Sequence, residues 1–100
     1  MAGDRFEEIW VEAGEKRLRA LIHGERGWLM YLSAPGAAAQ SSRNPDYAGP
    51  ADATIEYCLS NGQRDVRPAS WAYPVDVVRQ ALDFFEREEK LPPFIAWQAD

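Results

Sequence analysis

The feature that most constrains this chain is a pair of neighbouring apolar patterns near its N-terminal third. From Lys16 to His23 the residues alternate, with Leu18, Ala20 and Ile22 on one face and Arg17, Arg19, Leu21 and His23 on the other. Side chains in a strand point to opposite faces with a period of two, so this pattern predicts a half-buried strand. Gly24-Glu25-Arg26-Gly27 supplies a turn, and residues 28–32 (Trp-Leu-Met-Tyr-Leu) are apolar on both faces, as a central strand requires. A hairpin with a central strand commits the chain to a sheet.

The remaining elements follow from that commitment. Residues 53–59 alternate again, with Ala53, Ile55, Tyr57 and Leu59 on one face, and Asn61-Gly62 follows directly. Asn-Gly is the pair that best tolerates the two positive φ angles of a type I′ turn, so a hairpin is expected, with residues 63–67 returning until Pro68 ends the strand. Residues 74–89 predict the main helix. Pro74 opens it, Val75, Val78, Ala81, Leu82 and Phe85 form one stripe widened by Val77 and Phe84, and Asp76, Arg79, Asp83, Glu86 and Arg87 lie opposite. Leu91-Pro92-Pro93 stops it, and residues 94–98 read as a short last strand.

Two segments are less regular. Around residues 4–14, Asp4 and Glu7 would make a capping box for a short helix, whereas Ile9, Trp10 and Val11 favour a strand turning at Ala13-Gly14-Glu15. The strand is the preferred reading. Residues 34–52 are rich in Ala, Gly, Pro, Ser and Asn without apolar period and read as a long loop. Loops of that length tend to be functional or disordered, so this is the first place to look for a binding surface. The expected fold is α+β: an antiparallel sheet of about five to six strands, built of hairpins, with one main C-terminal helix on one face. Residues 1–100 are expected to form a single domain.

Composition narrows the function. Sixteen acidic against eleven basic residues give a formal charge of -5, which disfavours a phosphate backbone as ligand and would steer a basic partner. Residues 1–10 lack the basic and apolar regions of a secretory signal, and no apolar run approaches the roughly 20 residues that span a bilayer. One cysteine, Cys58, and no Asn-x-Ser/Thr acceptor agree with a reducing cytoplasm.

Catalytic chemistry has few candidates. A cysteine nucleophile needs a base, and the one histidine, His23, falls on a different predicted strand from Cys58. One His and one Cys do not make a zinc site, and neither a nucleophile elbow nor a phosphate-cradling glycine loop is present, so no cofactor, metal or catalytic residue is assigned. Glu7-Glu8 and Glu88-Glu89 read as solvated charges. Among the aromatics, Trp71 and Tyr73 lie in a connector where a ring can be half exposed and anchor an interface, and Tyr47 sits in the polar loop beside Asp46.

The second half carries a resemblance. A strand with Tyr57, the Asn61-Gly62 turn, Pro74 opening a helix that contains Ala81 and Phe84-Phe85, then Leu91-Pro92-Pro93-Phe94-Ile95-Ala96-Trp97, resembles the immunity proteins numbered first among the families of bacterial polymorphic toxin systems. Residues 28–32 and Ser41-Ser42 fit the first half of that pattern, so the resemblance covers roughly residues 27–97. The chain departs from it in an abbreviated N-terminal region and in Glu89-Lys90 standing where a glycine would close the helix.

The resemblance implies tight binding to a cognate toxin, often a nuclease or deaminase, with the toxin's active site or substrate groove blocked. It implies no catalysis and carries over no contact residue. The expected toxin-binding residues are therefore those singled out by loop and aromatic placement: Asp46, Tyr47, Asp52, Trp71 and Tyr73. A non-catalytic structural or regulatory subunit of another bacterial complex, and an enzyme built on Cys58 and His23, stay open as rivals. The sequence leaves the oligomeric state unspecified.

Overall fold

The computed structural model describes residues 5–99. Strands β1 (Phe6–Ala13), β2 (Lys16–His23), β3 (Arg26–Leu32), β4 (Gln40–Arg43), β5 (Thr54–Cys58), β6 (Arg64–Pro68) and β7 (Tyr73–Pro74) precede helix α1 (Val75–Glu88) and strand β8 (Ala96–Ala99). The main sheet runs in the order β1-β2-β3-β4-β8, with the two-residue β7 paired to the start of β3, and every pairing is antiparallel. β5 and β6 form a separate two-stranded sheet. The architecture is the α+β arrangement expected from the patterning.

The N-terminal segment is a strand, in register from Phe6 opposite His23 to Ala13 opposite Lys16. Asp4, half of the alternative capping box, lies outside the described residues. Register then sorts the side chains of three strands. Ile9 and Val11 of β1, Leu18, Ala20 and Ile22 of β2, and Leu29 and Tyr31 of β3 pack with Val78, Ala81, Leu82 and Phe85 of α1, and Ile95 joins them. Burying a side chain such as Phe85, which is fully covered, is worth about 1.5–3 kcal/mol. Gly27 lets the helix approach, since a β-carbon there would sit 2.9 Å from Val78 Cγ2.

The opposite face differs from expectation. Leu21, placed by the alternation among the outward residues of β2, is fully buried with Trp28 and Tyr57, and Met30, Ile55, Leu59 and Trp71 pack around them. The β5–β6 hairpin covers this face, so the sheet lies between a helix and a hairpin. Trp28 explains why β3 is apolar on both sides. Trp28 Nε1, the Tyr57 hydroxyl and Arg67 Nε are buried here without a hydrogen-bond partner among the described residues, and the Arg67 guanidinium lies 4.6 Å from the Trp28 ring centroid.

Several boundaries also shift. The expected loop over residues 34–52 contains β4, which pairs Gln40 and Ser41 with β3 and all four of its residues with β8. The Asn61-Gly62 turn is not type I′: Gly62 has φ +89° but Asn61 does not have positive φ. Leu59 donates to Gln63 O (2.8 Å) and Gly62 donates to Leu59 O (2.9 Å), giving a three-residue loop that ends on a left-handed glycine. Pro74 caps the helix from outside, and the Val75 amide donates to Glu25 O at 2.8 Å. At the far end Glu89 takes the left-handed conformation (φ 57°) that a glycine would occupy freely, and Lys16 Nζ donates to its carbonyl at 2.9 Å.

The paired acids are not alike. Glu7 accepts from Arg79 of α1 at 3.0 Å. Glu8 points to the hairpin side, where its Oε1 accepts from the Ser60 amide and hydroxyl and its Oε2 from Arg19. Its side chain is 7% exposed, which corrects the reading of this pair as two solvated charges. Consecutive strand residues face opposite sides, so the two carboxylates do not converge.

Candidate functional site

The segment after β4 is tied down by one asparagine. Asn44 Nδ2 donates to Ala72 O (2.9 Å), its amide donates to Ser70 O (2.9 Å), and its Oδ1 accepts from the Asp46 amide (2.9 Å). The loop therefore leaves the sheet in a fixed direction against the connector between β6 and β7. Asn and Asp side chains commonly close such turns by bonding backbone two residues on. Further along, the Tyr47 hydroxyl donates to Pro50 O at 2.8 Å. Its ring lies over Gly49, where a β-carbon would meet Tyr47 Cζ at 2.8 Å. The long loop is folded on its own tyrosine.

The connector is fastened from the other side. Residues 69–71 make one 3₁₀ turn. Ser42 Oγ accepts from the Leu29 amide (3.1 Å) and donates to Trp71 O (2.9 Å), so a buried serine bridges β3 and the connector. The Arg43 guanidinium lies 3.6 Å from the Trp71 ring centroid, a cation–π stack on a partly exposed ring. Tyr73 is not half exposed. It is 8% exposed, and its hydroxyl donates to Arg43 O (2.7 Å) and accepts from the Ala96 amide (2.9 Å), joining the end of β4 to the start of β8.

These ties shape two adjoining clefts that share Asn44, Tyr73 and Pro74. One, of about 320 Å³, is lined by Tyr47, Ala48 and Gly49 of the loop, Ala69 and Ala72 of the connector, and Glu25 and Arg26 at the start of β3. The other, of about 470 Å³, is lined by Asp46, Val77, Gln80 and Phe94. Of the five residues singled out from sequence, Asp46, Tyr47 and Tyr73 meet at these clefts, Trp71 lies beside them under Arg43, and Asp52 is exposed without lining either. Sequence reasoning missed Asn44, Val77 and Phe94. An exposed ring directly after a Pro-Pro break was the available signal for Phe94.

The other candidates stand apart. His23 Nδ1 donates to Glu56 O (2.7 Å), and its ring packs on Phe6 with centroids 4.3 Å apart. Cys58 Sγ lies 3.6 Å from Leu59 O, and no hydrogen bond joins Cys58 to His23. Among the described residues no group of three or more His, Cys, Asp or Glu is placed to hold a metal ion. No helix among them is long and apolar enough to cross a membrane.

The chain as a whole matches one family model, Immunity protein Imm1, over residues 2–99. The chain belongs to the Imm1 immunity protein family. The match spans more than the resemblance read from residues 27–97 and takes in β1 and β2. No curated protein and no solved structure gives a significant match. In this Imm1 chain Phe94, directly after the Pro-Pro break, lines one cleft, and Ala96–Ala99 form the edge strand β8.

Proposed function

We propose that this chain is an immunity protein that binds and neutralises a cognate bacterial toxin by protein–protein contact, without chemistry of its own. The observation that carries the proposal is the family match across residues 2–99. The toxin is a nuclease or deaminase with a basic groove at its active site, and the encounter takes place in the cytoplasm of the producing cell. The formal charge of -5 supports this partner, because opposite net charge accelerates association and steers the acidic protein to a positive groove. The contact surface consists of the loop with Asp46, Tyr47 and Asp52, extended by Trp71, with Tyr73 as the rigid floor between the clefts. Ordering this loop before binding supports affinity, since the entropy of fixing it is already spent in the free protein.

The test is direct. The toxin domain encoded beside this gene, inactivated by mutation, should bind the purified chain with a sub-micromolar dissociation constant. Co-expression should rescue cells carrying the active toxin. A chain that neither binds this domain nor protects cells from it is not its inhibitor.

A further inference from the structure

The cleft of about 470 Å³ beside Pro74 combines two kinds of surface. Its walls are apolar: Pro74, Val77 from the first turn of α1, and the ring of Phe94. Phe94 is 45% exposed, although Phe84 packs against it edge-to-face with centroids 5.8 Å apart. Its polar lining is Asn44, Asp46 and Gln80, and the charged residue among them is Asp46. Asp52, further along the same loop, is exposed and of the same sign, whereas Glu56 beyond it is paired with Arg64. The N-terminus of α1 is a partial positive charge of about +0.5, but Asp76 in its first turn already opposes it. The cleft is thus an apolar slot with a negative lip.

The slot is also rigid. Asn44 is bonded to the connector through both amide groups, the Asp46 amide is bonded to Asn44, and Tyr73 is locked between β4 and β8. Interface anchors act in pockets of this kind, where a large apolar group is desolvated inside a polar ring.

We infer that this slot is the anchor pocket of the interface, and that it takes one apolar side chain of the toxin from a segment carrying an adjacent lysine or arginine, which pairs with Asp46. The inference rests on the reading of the chain as a toxin inhibitor and adds the place and chemistry of contact. An acidic segment would meet Asp46 with like charge, and a purely polar one would leave Phe94, Val77 and Pro74 wet.

The experiment titrates the inactivated toxin domain against wild type, Phe94→Ala, Asp46→Lys and, as a control at an exposed residue near the end of β1, Glu12→Ala. Circular dichroism and a thermal melt establish that each variant is folded; both test residues are exposed enough for that. Phe94→Ala and Asp46→Lys should each raise the dissociation constant at least tenfold, with Glu12→Ala within twofold of wild type. In the wild type the association rate should fall with added salt, and less steeply in Asp46→Lys. If wild type binds and either test variant stays within twofold of it, the slot is not filled by this paired chemistry, while the inhibitor reading stands. If wild type does not bind, both fall.

Discussion

Glu8 shows how one side chain can join three parts of a small protein. One carboxylate oxygen takes two hydrogen bonds from Ser60 at the tip of the β5–β6 hairpin, and the other takes Arg19 of β2, while the residue itself belongs to β1. The Ser60 hydroxyl and amide, with Arg19 adding, hold its carboxyl below the ordinary value of 4.5 against the opposing effect of burial. A depressed acid contributes stability that is present above its unfolded value and is lost as pH falls through the folded one. Glu8→Ala should cost about 2–3 kcal/mol at neutral pH, because charged hydrogen bonds are lost and Arg19 is left unpaired. Urea unfolding should show that cost shrinking below pH 4.5. Tyr57 is the opposite case. It is 1% exposed, its hydroxyl has no partner among the described residues, and burial pushes its phenol well above the ordinary value of 10. Tyr57→Phe removes a desolvated polar atom at little cost in shape, so it should leave stability unchanged or raise it by up to ~1 kcal/mol. Because the unfolded chain ionises first, wild-type stability should decline above pH 10, and less so in the variant. A clear loss of stability in Tyr57→Phe at neutral pH would mean that the hydroxyl is bonded.

Elements were legible where their side chains were apolar and periodic. β2, β3, β5 and α1 announce themselves through alternation or a helical stripe, and the structure keeps them within a residue or two of the expected bounds. β4 could not be read that way. Its residues are Gln40, Ser41, Ser42 and Arg43, and it is held by pairing on both edges and by Ser42 bridging Leu29 and Trp71, none of which leaves an apolar signature. The Asn61-Gly62 pair marked a hairpin correctly but not its loop, because the left-handed conformation falls on Gly62 alone. The end of α1 was visible as an anomaly in the sequence: Glu89 stands in the place of a glycine, and the structure puts it at φ 57°. A side chain there is strained, so Glu89→Gly should stabilise the protein by about 1 kcal/mol, a rise in melting temperature of roughly 4–8 °C. A variant that melts no higher than wild type would show that Glu89 is held without strain.

At the scale of the whole molecule, the sequence marked residues 34–52 as one long loop, and the structure divides it into strand β4 and a turn fastened to the connector. The segment around Asp46 and Tyr47 does border the clefts, but it is a fixed turn, with Asn44 as its fastening and Tyr47 folded over Gly49. Tyr73 was legible as a connector aromatic; its burial depends on the β4–β8 junction, which no local pattern encodes. If this surface meets the toxin, replacing Tyr47 and Trp71 together by alanine should raise the dissociation constant at least tenfold, each anchor being worth about 2 kcal/mol. An unchanged constant in the folded double variant would move the interface elsewhere. The order of strands has a last consequence. β4 and β8 are neighbours in the sheet, yet the small hairpin, β7 and α1 all separate them along the chain. Closing so long a loop is entropically slow compared with zipping β1, β2 and β3. The Tyr73 latch and the wall formed by Phe94 are thus expected to be assembled late in refolding, and the surface proposed to meet the toxin would mature only after the rest of the sheet has formed.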